Sequence, residues 1–552
     1  MEATDLPVNI LYWSLAAAPI VILLVLLAGL RWSATEAAPV GMFAAAAIAL
    51  LAFDSPWQTI AVAGGKGIWD AIFVLLVVWP ALLLYQVGER AGAFTALREG
   101  IERFSRNELF LVLAFGWVFA SFLQGIAGFG VPIAVVAPLL LALGVRPVYA
   151  VVIPLIGHAW ANMFGTIGVG WLATLQVVEL ENPDEAAFQS AIMLWIPAIL
   201  AGFTIAWLYG KLPAVKNAWP MILIISSVQG GLQLTLMVWN PILSTFLAAS
   251  AALLLLYPLS RWSRYSDADE SITERPAMQD DDPEEAEEER EEMEEEEPEP
   301  VMGLGMSLIP YAVLTVGTVL VLAIPPVEAA LETVEFGIPF PQTETGLGVE
   351  NEAEDDFSPL APFTHPGTFL LVGAAVGYVV YSSRGYYRRW EERAETEGIL
   401  SGLVAKATPA SIAIVAFLIT SALLDDTGQV EVLAGGIAEV APPVAFAFLA
   451  NFIGVLGAFM TSSNTSSNIL FSPLQQTVAG AEGLSEATII AAQSTGGALG
   501  NAIAPANVAL GTGAIGASGK EGDVLRLAIP WVVATALITG GLSVLMLGLT
   551  FL

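Results

Sequence analysis

Apolar runs of the length needed to cross a lipid bilayer recur from one end of the chain to the other, and they leave little choice of fold. They occupy residues 19–30, 68–87, 110–123, 190–207, 248–256, 311–324, 367–380, 411–424 and 527–552. With their flanks, most reach the roughly 20 residues a helix needs to span the hydrocarbon core. Short spacers join many of them, which describes a bundle rather than one anchor on a soluble domain. Of the chain, 56% is hydrophobic and 13% charged, with a mean hydropathy of +0.71; soluble chains are about 25% charged. The expected fold is an all-α polytopic membrane protein with roughly 12–16 membrane segments.

The net charge of −33 sits outside those runs, above all in residues 267–299. A pI near 4.2 argues against a nucleic-acid partner and suits a prokaryotic host with high internal salt. The absence of cysteine removes disulfides, thiolate chemistry and Cys-ligated metals. Residues 1–9 carry no Lys or Arg, so they lack the basic start of a signal peptide, and the first apolar run reads as a retained span.

Cationic residues gather at Arg31, 90–106, Arg146, 211–216, 261–264, 384–406 and 520–526. The positive-inside rule places these clusters in the cytoplasm. The acidic or neutral loops 1–9, 178–189, 328–364, 425–431 and 481–486 then lie outside, as do both termini. Lys66 alone does not fit this zigzag. The chain divides into a transmembrane half at 1–262, an acidic cytoplasmic linker at 263–302 and a second transmembrane half at 303–552, with an external acidic loop at 326–364. The linker has the composition of a solvated, disordered segment, with a regulatory or partner-binding role as the alternative.

Two segments share a plan. Laying Ser121 on Ala458 brings Phe122 to Phe459 and, with a two-residue gap, Gly157 to Gly496 and Asn162 to Asn501. Each segment has an apolar helix, a small polar break, a second apolar stretch, a turn and a Gly-rich helix. The first is flanked by Arg106 and Arg146 and the second by Glu439 and Glu482, so the same unit appears in opposite orientation. That is the pattern of inverted-repeat secondary transporters with broken-helix hairpins. Broken backbone at membrane depth survives only where protein buries it or water reaches it. Gly125, Gly128 and Gly130 with Pro132 suit a chain that stops and restarts a helix. The run Ser462-Ser463-Asn464-Thr465-Ser466-Ser467-Asn468 is unusually polar for a place between two apolar helices. Half-helix N-termini there suit a carboxylate, and the hydroxyl, amide and carbonyl oxygens of Ser463, Asn464 and Thr465 suit sodium. Close helix packing through small residues is the plainer reading of the glycines.

These residues carry a likeness. The segment from Phe122 through Gln124, Gly125, Gly128, Phe129 and Gly130 to Pro132 resembles the first signature of the L-lactate permease family. Residues 461–468 resemble the second. Ser494-Thr495-Gly496-Gly497 and residues 519–523 continue the match. The resemblance implies a secondary carrier of the ion transporter superfamily that takes up lactate or glycolate with protons, in the plasma membrane. The two broken segments and their surroundings give a candidate substrate site at Gly125, Gly128, Phe129, Gly130, Ser462, Ser463, Asn464, Thr465, Ser466 and Asn468, with a polar core of Gln124, His158, Asn162, Ser494, Thr495 and Asn501. The family's usual Glu, Asp and, in some members, Lys are here Gln124, Asn464 and Asn501. The Ser463-Asn464-Thr465 tip also resembles sodium-coupled dicarboxylate symporters of the same superfamily, so sodium-coupled transport of another small carboxylate stands as the alternative. An anion channel is a further one.

His158 lies in an apolar helix of the first repeat and is a candidate proton carrier, or else a hydrogen-bonded core histidine. An enzyme would need chemistry that the chain lacks. It has no HExxH, and its one P-loop-like stretch, residues 513–521, is a residue too long and ends in Glu521 instead of Ser or Thr. No cofactor is expected beyond a coupling cation.

Overall fold

The computed structural model describes residues 6–30, 32–267, 272–279, 301–322, 324–392 and 398–550. Helices begin where the sequence supplies caps. The side chain of Asn9 accepts the N–H groups of Leu11 and Tyr12 and starts α1, Ile10–Leu24. Next come α2, Ala34–Leu51, and α3, Trp57–Glu89. The first repeat follows as α4, Glu108–Ile126, capped by Asn107, then α5, Val131–Ala142, α6, Pro147–Gly157, and α7, Gly165–Leu175.

Helix α8, Pro183–Met237, is 55 residues long. At 1.5 Å per residue that is roughly 80 Å, more than twice the hydrocarbon core of about 30 Å. The backbone leaves the helix at Gly210 and Lys211 (φ −154° and 52°), so α8 makes two crossings. Then come α9, Pro241–Ser260, α10, Ile309–Leu322, α11, Pro366–Ser383, α12, Ile399–Asp426, and α13, Gln429–Val440. The second repeat is α14, Pro443–Thr461, α15, Asn464–Glu482, α16, Glu486–Gly500, and α17, Pro505–Ala514. The chain closes with α18, Glu521–Thr550.

Among the described residues ten helices are long and apolar enough to cross a membrane, and twelve if two sharply bent pairs each count as a span; the break in α8 adds one. The protein is a multi-pass membrane protein. The higher end of the expected range counts arms such as the 12-residue α5, which stop short of a full crossing.

The two aligned segments show the same succession of elements. In each, a long helix stops at a break, restarts, turns, and ends in a helix followed by one short 3-10 turn, Ala159–Ala161 or Asn501–Ile503. The aligned glycines do the same work. A Cβ on Gly157 would lie 1.9 Å from the Gly116 carbonyl oxygen of α4, and one on Gly496 would lie 1.8 Å from the Asn451 carbonyl oxygen of α14. Each glycine lets the Gly-rich helix touch the backbone of the first helix of its own repeat. The α4 span is wholly buried, so its broken end meets protein rather than lipid.

Residues 336–360 form two antiparallel pairs. Strand β1, Phe336–Phe340, pairs with β4, Glu354–Leu360, and β2, Thr343–Glu344, pairs with β3, Glu350–Asn351. They are fastened to α3 and to the end of α12. Trp69 Nε1 donates to the Ser358 carbonyl at 3.0 Å and Asn351 Nδ2 to the Asp426 carbonyl at 2.9 Å. Lys66 pairs with Glu354 at 2.8 Å, so the lysine that broke the charge zigzag is the partner of this acidic hairpin.

Most of the acidic linker lies outside the described residues. Its residues 272–279 are described and packed. Ile272, Ala277 and Met278 are buried, the Arg146 N–H donates to the Ala277 carbonyl at 2.8 Å, and Arg275 pairs with Glu108. This short apolar patch anchors the stretch where a purely solvated chain was expected.

Candidate substrate site

Two breaks face one another at the middle of the fold. The first runs from Ala127 to Gly130, where Phe129 and Gly130 have left-handed backbones (φ 53° and 82°) and α5 restarts. The second is Ser462 (φ 55°) with Ser463, whose hydroxyl accepts the Ser466 N–H and caps α15. A third irregular stretch, Thr166-Ile167-Gly168, is left-handed throughout (φ 51°, 50° and 74°). It meets the first break directly: the Gly128 N–H donates to Thr166 Oγ1 at 2.8 Å.

Between these breaks lies a small cavity of about 70 Å³, lined by Gln124, Gly128, Phe129, Gly130, Ile133, His158, Asn162, Gly165, Thr166, Val169, Gly170, Ser462, Ser463, Asn464, Thr465, Asn501 and Asn507. One water needs roughly 10–15 Å³ on such a measure, so the cavity has room for a small organic acid. No lining residue is Asp, Glu, Lys or Arg. The N-terminal ends of α5, α15 and α17 all reach it, and each carries partial positive charge and free N–H groups. A neutral polar wall with three such ends suits a carboxylate.

Eleven of the sixteen residues expected at the site line this cavity. Gly125 does not: a Cβ there would sit 3.0 Å from Phe246 Cα, so this glycine serves helix packing. Asn468 and Ser494 form a layer behind, where Asn468 Nδ2 reaches Thr174 Oγ1 at 3.0 Å and Ser494 Oγ at 3.5 Å. Thr495 is buried on the same helix, away from the cavity. Ser466 faces a larger cavity of about 870 Å³, which shares Phe129, Ser462 and Ser463 with the site and extends to Trp32, Pro409 and Glu521. A separate cavity of about 160 Å³, lined by Asn240, Glu328, Glu332 and Thr364, reaches Ile167, next to Thr166 of the site. A left-handed apolar residue, Phe129 or Ile167, lines each of these two cavities.

Sequence reading missed Thr166, Gly165, Gly170 and Asn507. The first three lie in the Gly-Thr-Ile-Gly-Val-Gly stretch after Asn162, whose glycines were the available signal. Asn507 follows Pro505 at the start of α17, and its amide donates to the Asn501 carbonyl at 3.2 Å and to the Asn501 side chain.

His158 has one tautomer in this arrangement. Its Nδ1 meets the Pro154 carbonyl, which can only accept, so Nδ1 carries the proton and Nε2 is left as an acceptor.

The family profile of L-lactate permease matches residues 14–550. The chain belongs to the L-lactate permease family. The L-lactate permease of Escherichia coli K12 is 26% identical over 96% of this chain and 95% of its own length. That of Halalkalibacterium halodurans is 26% identical over 94% and 93%. The glycolate permease GlcA of Escherichia coli K12 is 25% identical over 96% and 94%. Among solved structures, the Alcanivorax borkumensis YdaH transporter matches at 16% identity over 90% of this chain and 88% of that chain, with a TM-score of 0.44, too loose a fit to carry an argument. Both family signatures converge on the cavity, so the resemblance seen in short motifs extends across the fold.

Proposed function

We propose that the chain is a secondary active transporter that imports lactate, or a related small 2-hydroxy monocarboxylate such as glycolate, by symport with protons across the plasma membrane. The observation that carries this reading is the uncharged cavity at the three helix N-termini, in a chain related end to end to both lactate and glycolate permeases. The carboxylate would sit against the N-termini of α5 and α15, and the substrate hydroxyl would donate to His158 Nε2. The two repeats would be inverted copies, with the site reached alternately past Phe129 and past Ile167. The test is uptake of labelled lactate into proteoliposomes with proton and sodium gradients imposed separately. No uptake under either gradient would end the reading.

His158→Leu, which removes the acceptor, should separate hydroxy acids from plain acids. Losing the acceptor for a buried hydroxyl costs about 1–3 kcal/mol, so KM for lactate should rise roughly tenfold, while transport of propionate, which has no hydroxyl, should change little. An equal effect on both acids would remove the hydroxyl contact. If His158 instead carries the coupled proton, the variant would lose accumulation and keep counterflow exchange.

Sodium coupling is the second reading, and one observation favours it: among the described residues nothing hydrogen-bonds the buried Asn464 Oδ1 beside Ser463 and Thr465. The same N-termini that favour an anion disfavour a cation, so protons are the preferred coupling ion. The acidic linker should be cytoplasmic and the β-hairpin external. A single cysteine at Glu285 in this Cys-free chain should resist an impermeant maleimide added to intact cells, and labelling from outside would reverse the orientation.

A further inference from the structure

Lys66 lies in the interior of α3, one turn before Asp70, and both are buried. Its ammonium meets Glu354 at 2.8 Å and Asp426 at 3.8 Å. Asp70 is 4% exposed and Asp426 7% exposed. Among the described residues Asp70 Oδ1, Asp426 Oδ2 and Glu431 Oε2 have no hydrogen-bond partner, and the Asp70 carboxyl meets Ser358 in a hydrogen bond. The charged groups facing this place are Lys66 and Asp70 from α3, Asp425 and Asp426 from α12, Glu431 from α13 and Glu354 from the hairpin, with Glu179 acting on Asp425 from the loop after α7. Burial, with Asp425 adding to it, pushes the Glu431 carboxyl up to about 7.

One ammonium cannot balance these carboxylates. Buried charges are paired or neutralised, so the remaining balance must come from bound cations. A metal ion fits poorly, because Lys66 already occupies the position between the acids, and no group of acidic and histidine ligands among the described residues is arranged to hold one. A proton meets neither obstacle. A purely structural clamp for the hairpin would need one acid for one base, not an excess of buried acid with unused oxygens.

The cluster is also placed to act on the substrate site. Between Lys66 and Asp70, Gly67 brings α3 so close to α12 that a Cβ would lie 2.6 Å from Ile419 Cα. Helix α3 packs against α7 as well, and α7 begins with Gly165 and Thr166, which line the substrate cavity. Glu354 is partly exposed at the hairpin edge and gives the cluster a path to bulk water.

We infer that Asp70 and Asp426, both within electrostatic reach of Lys66, form the proton-binding site of the symport, loaded through Glu354 and emptied when α3 and α12 shift against one another. The proton is taken up and released unchanged, one for each anion carried. This rests on the 2-hydroxy acid symporter reading above.

The test uses purified full-length protein in proteoliposomes, with lactate as the probe. A pH gradient of one unit can sustain about tenfold accumulation per proton. Asp70→Asn and Asp426→Asn should each keep lactate counterflow within about twofold of wild type, since Asn mimics the protonated acid, and should lose the tenfold accumulation. Accumulation that persists in both aspartate variants would overturn the proposal. Loss of counterflow and accumulation together in folded variants would also overturn it, by making the cluster a structural clamp. If one variant fails to insert, the other is read together with Glu354→Gln, which should slow proton entry and shift the pH profile of uptake; an unmoved profile would count against the path. Wild-type accumulation on a sodium gradient alone would overturn the proton site while leaving the substrate reading intact. Wild-type vesicles that exchange no 2-hydroxy acid would overturn the substrate reading, and the proton site with it.

Discussion

Asn464→Ala is expected to lower kcat/KM for lactate by roughly tenfold to a hundredfold with the protein still inserted. Asn464 is the first residue of α15 and is 3% exposed. Two glycines, one from each repeat, make room for its amide. A Cβ on Gly170 would lie 3.1 Å from Asn464 Nδ2, and one on Gly497 would lie 2.3 Å from Asn464 Oδ1. Among the described residues the amide has one partner, a weak contact with Met163 Sδ at 3.7 Å, so little competes for it. A buried polar group with so few internal partners, at the mouth of a helix N-terminus, is placed to meet a ligand. Removing one such hydrogen bond costs about 1–3 kcal/mol, which sets the range given. Asn464→Asp is a sharper variant: its carboxylate would occupy the same dipoles as the substrate carboxylate and act as a built-in competitor. Uptake kinetics unchanged in Asn464→Ala would take the residue out of the site.

The sequence was informative about this fold where a physical demand left a local mark. Crossing a bilayer demands apolar length, so the spans are legible residue by residue. Breaking a helix inside a membrane demands glycine or clustered hydroxyls and amides, so residues 125–130 and 462–468 are legible too. Even the alignment of Gly157 with Gly496 carried meaning, because each must approach a neighbouring backbone more closely than any side chain permits. What stayed hidden depends on distant partners. Lys66 read as an orientation misfit because Glu354 and Asp426 lie far away in sequence, one on a hairpin whose short acidic strands gave no clear alternation. Within the two signature hairpins Gln124 and Asn464 cannot titrate and His158 is the ionisable side chain, so the local motifs gave no sign of the buried acids on α3 and α12. Thr166 was missed because a left-handed turn of three residues needs only one glycine to announce it. Packing overrode composition at residues 272–279, where three apolar side chains hold the head of an otherwise acidic stretch.

The second large effect is expected at the contact that joins the two irregular stretches of the first repeat. A Cβ on Gly128 would lie 2.5 Å from Thr166 Oγ1 and 3.0 Å from Gln124 Nε2, both on residues that line the cavity. Gly128→Ala must therefore push Thr166 away and break the 2.8 Å hydrogen bond that the Gly128 N–H now makes to it. Backbone at this depth has no water to replace the lost acceptor, and the displaced hydroxyl moves into the substrate space. Lactate uptake should fall at least tenfold, again from a lost buried hydrogen bond of about 1–3 kcal/mol with overpacking added. Thr166→Ala removes the same acceptor without the clash and should cost less. The two changes act through one contact, so they should not add: the double variant should be no worse than Gly128→Ala, and relief of the clash should make it somewhat better. Losses that simply multiply in the double variant would mean that Gly128 and Thr166 act separately, and that the first break and the left-handed turn of α7 do not form one unit around the substrate.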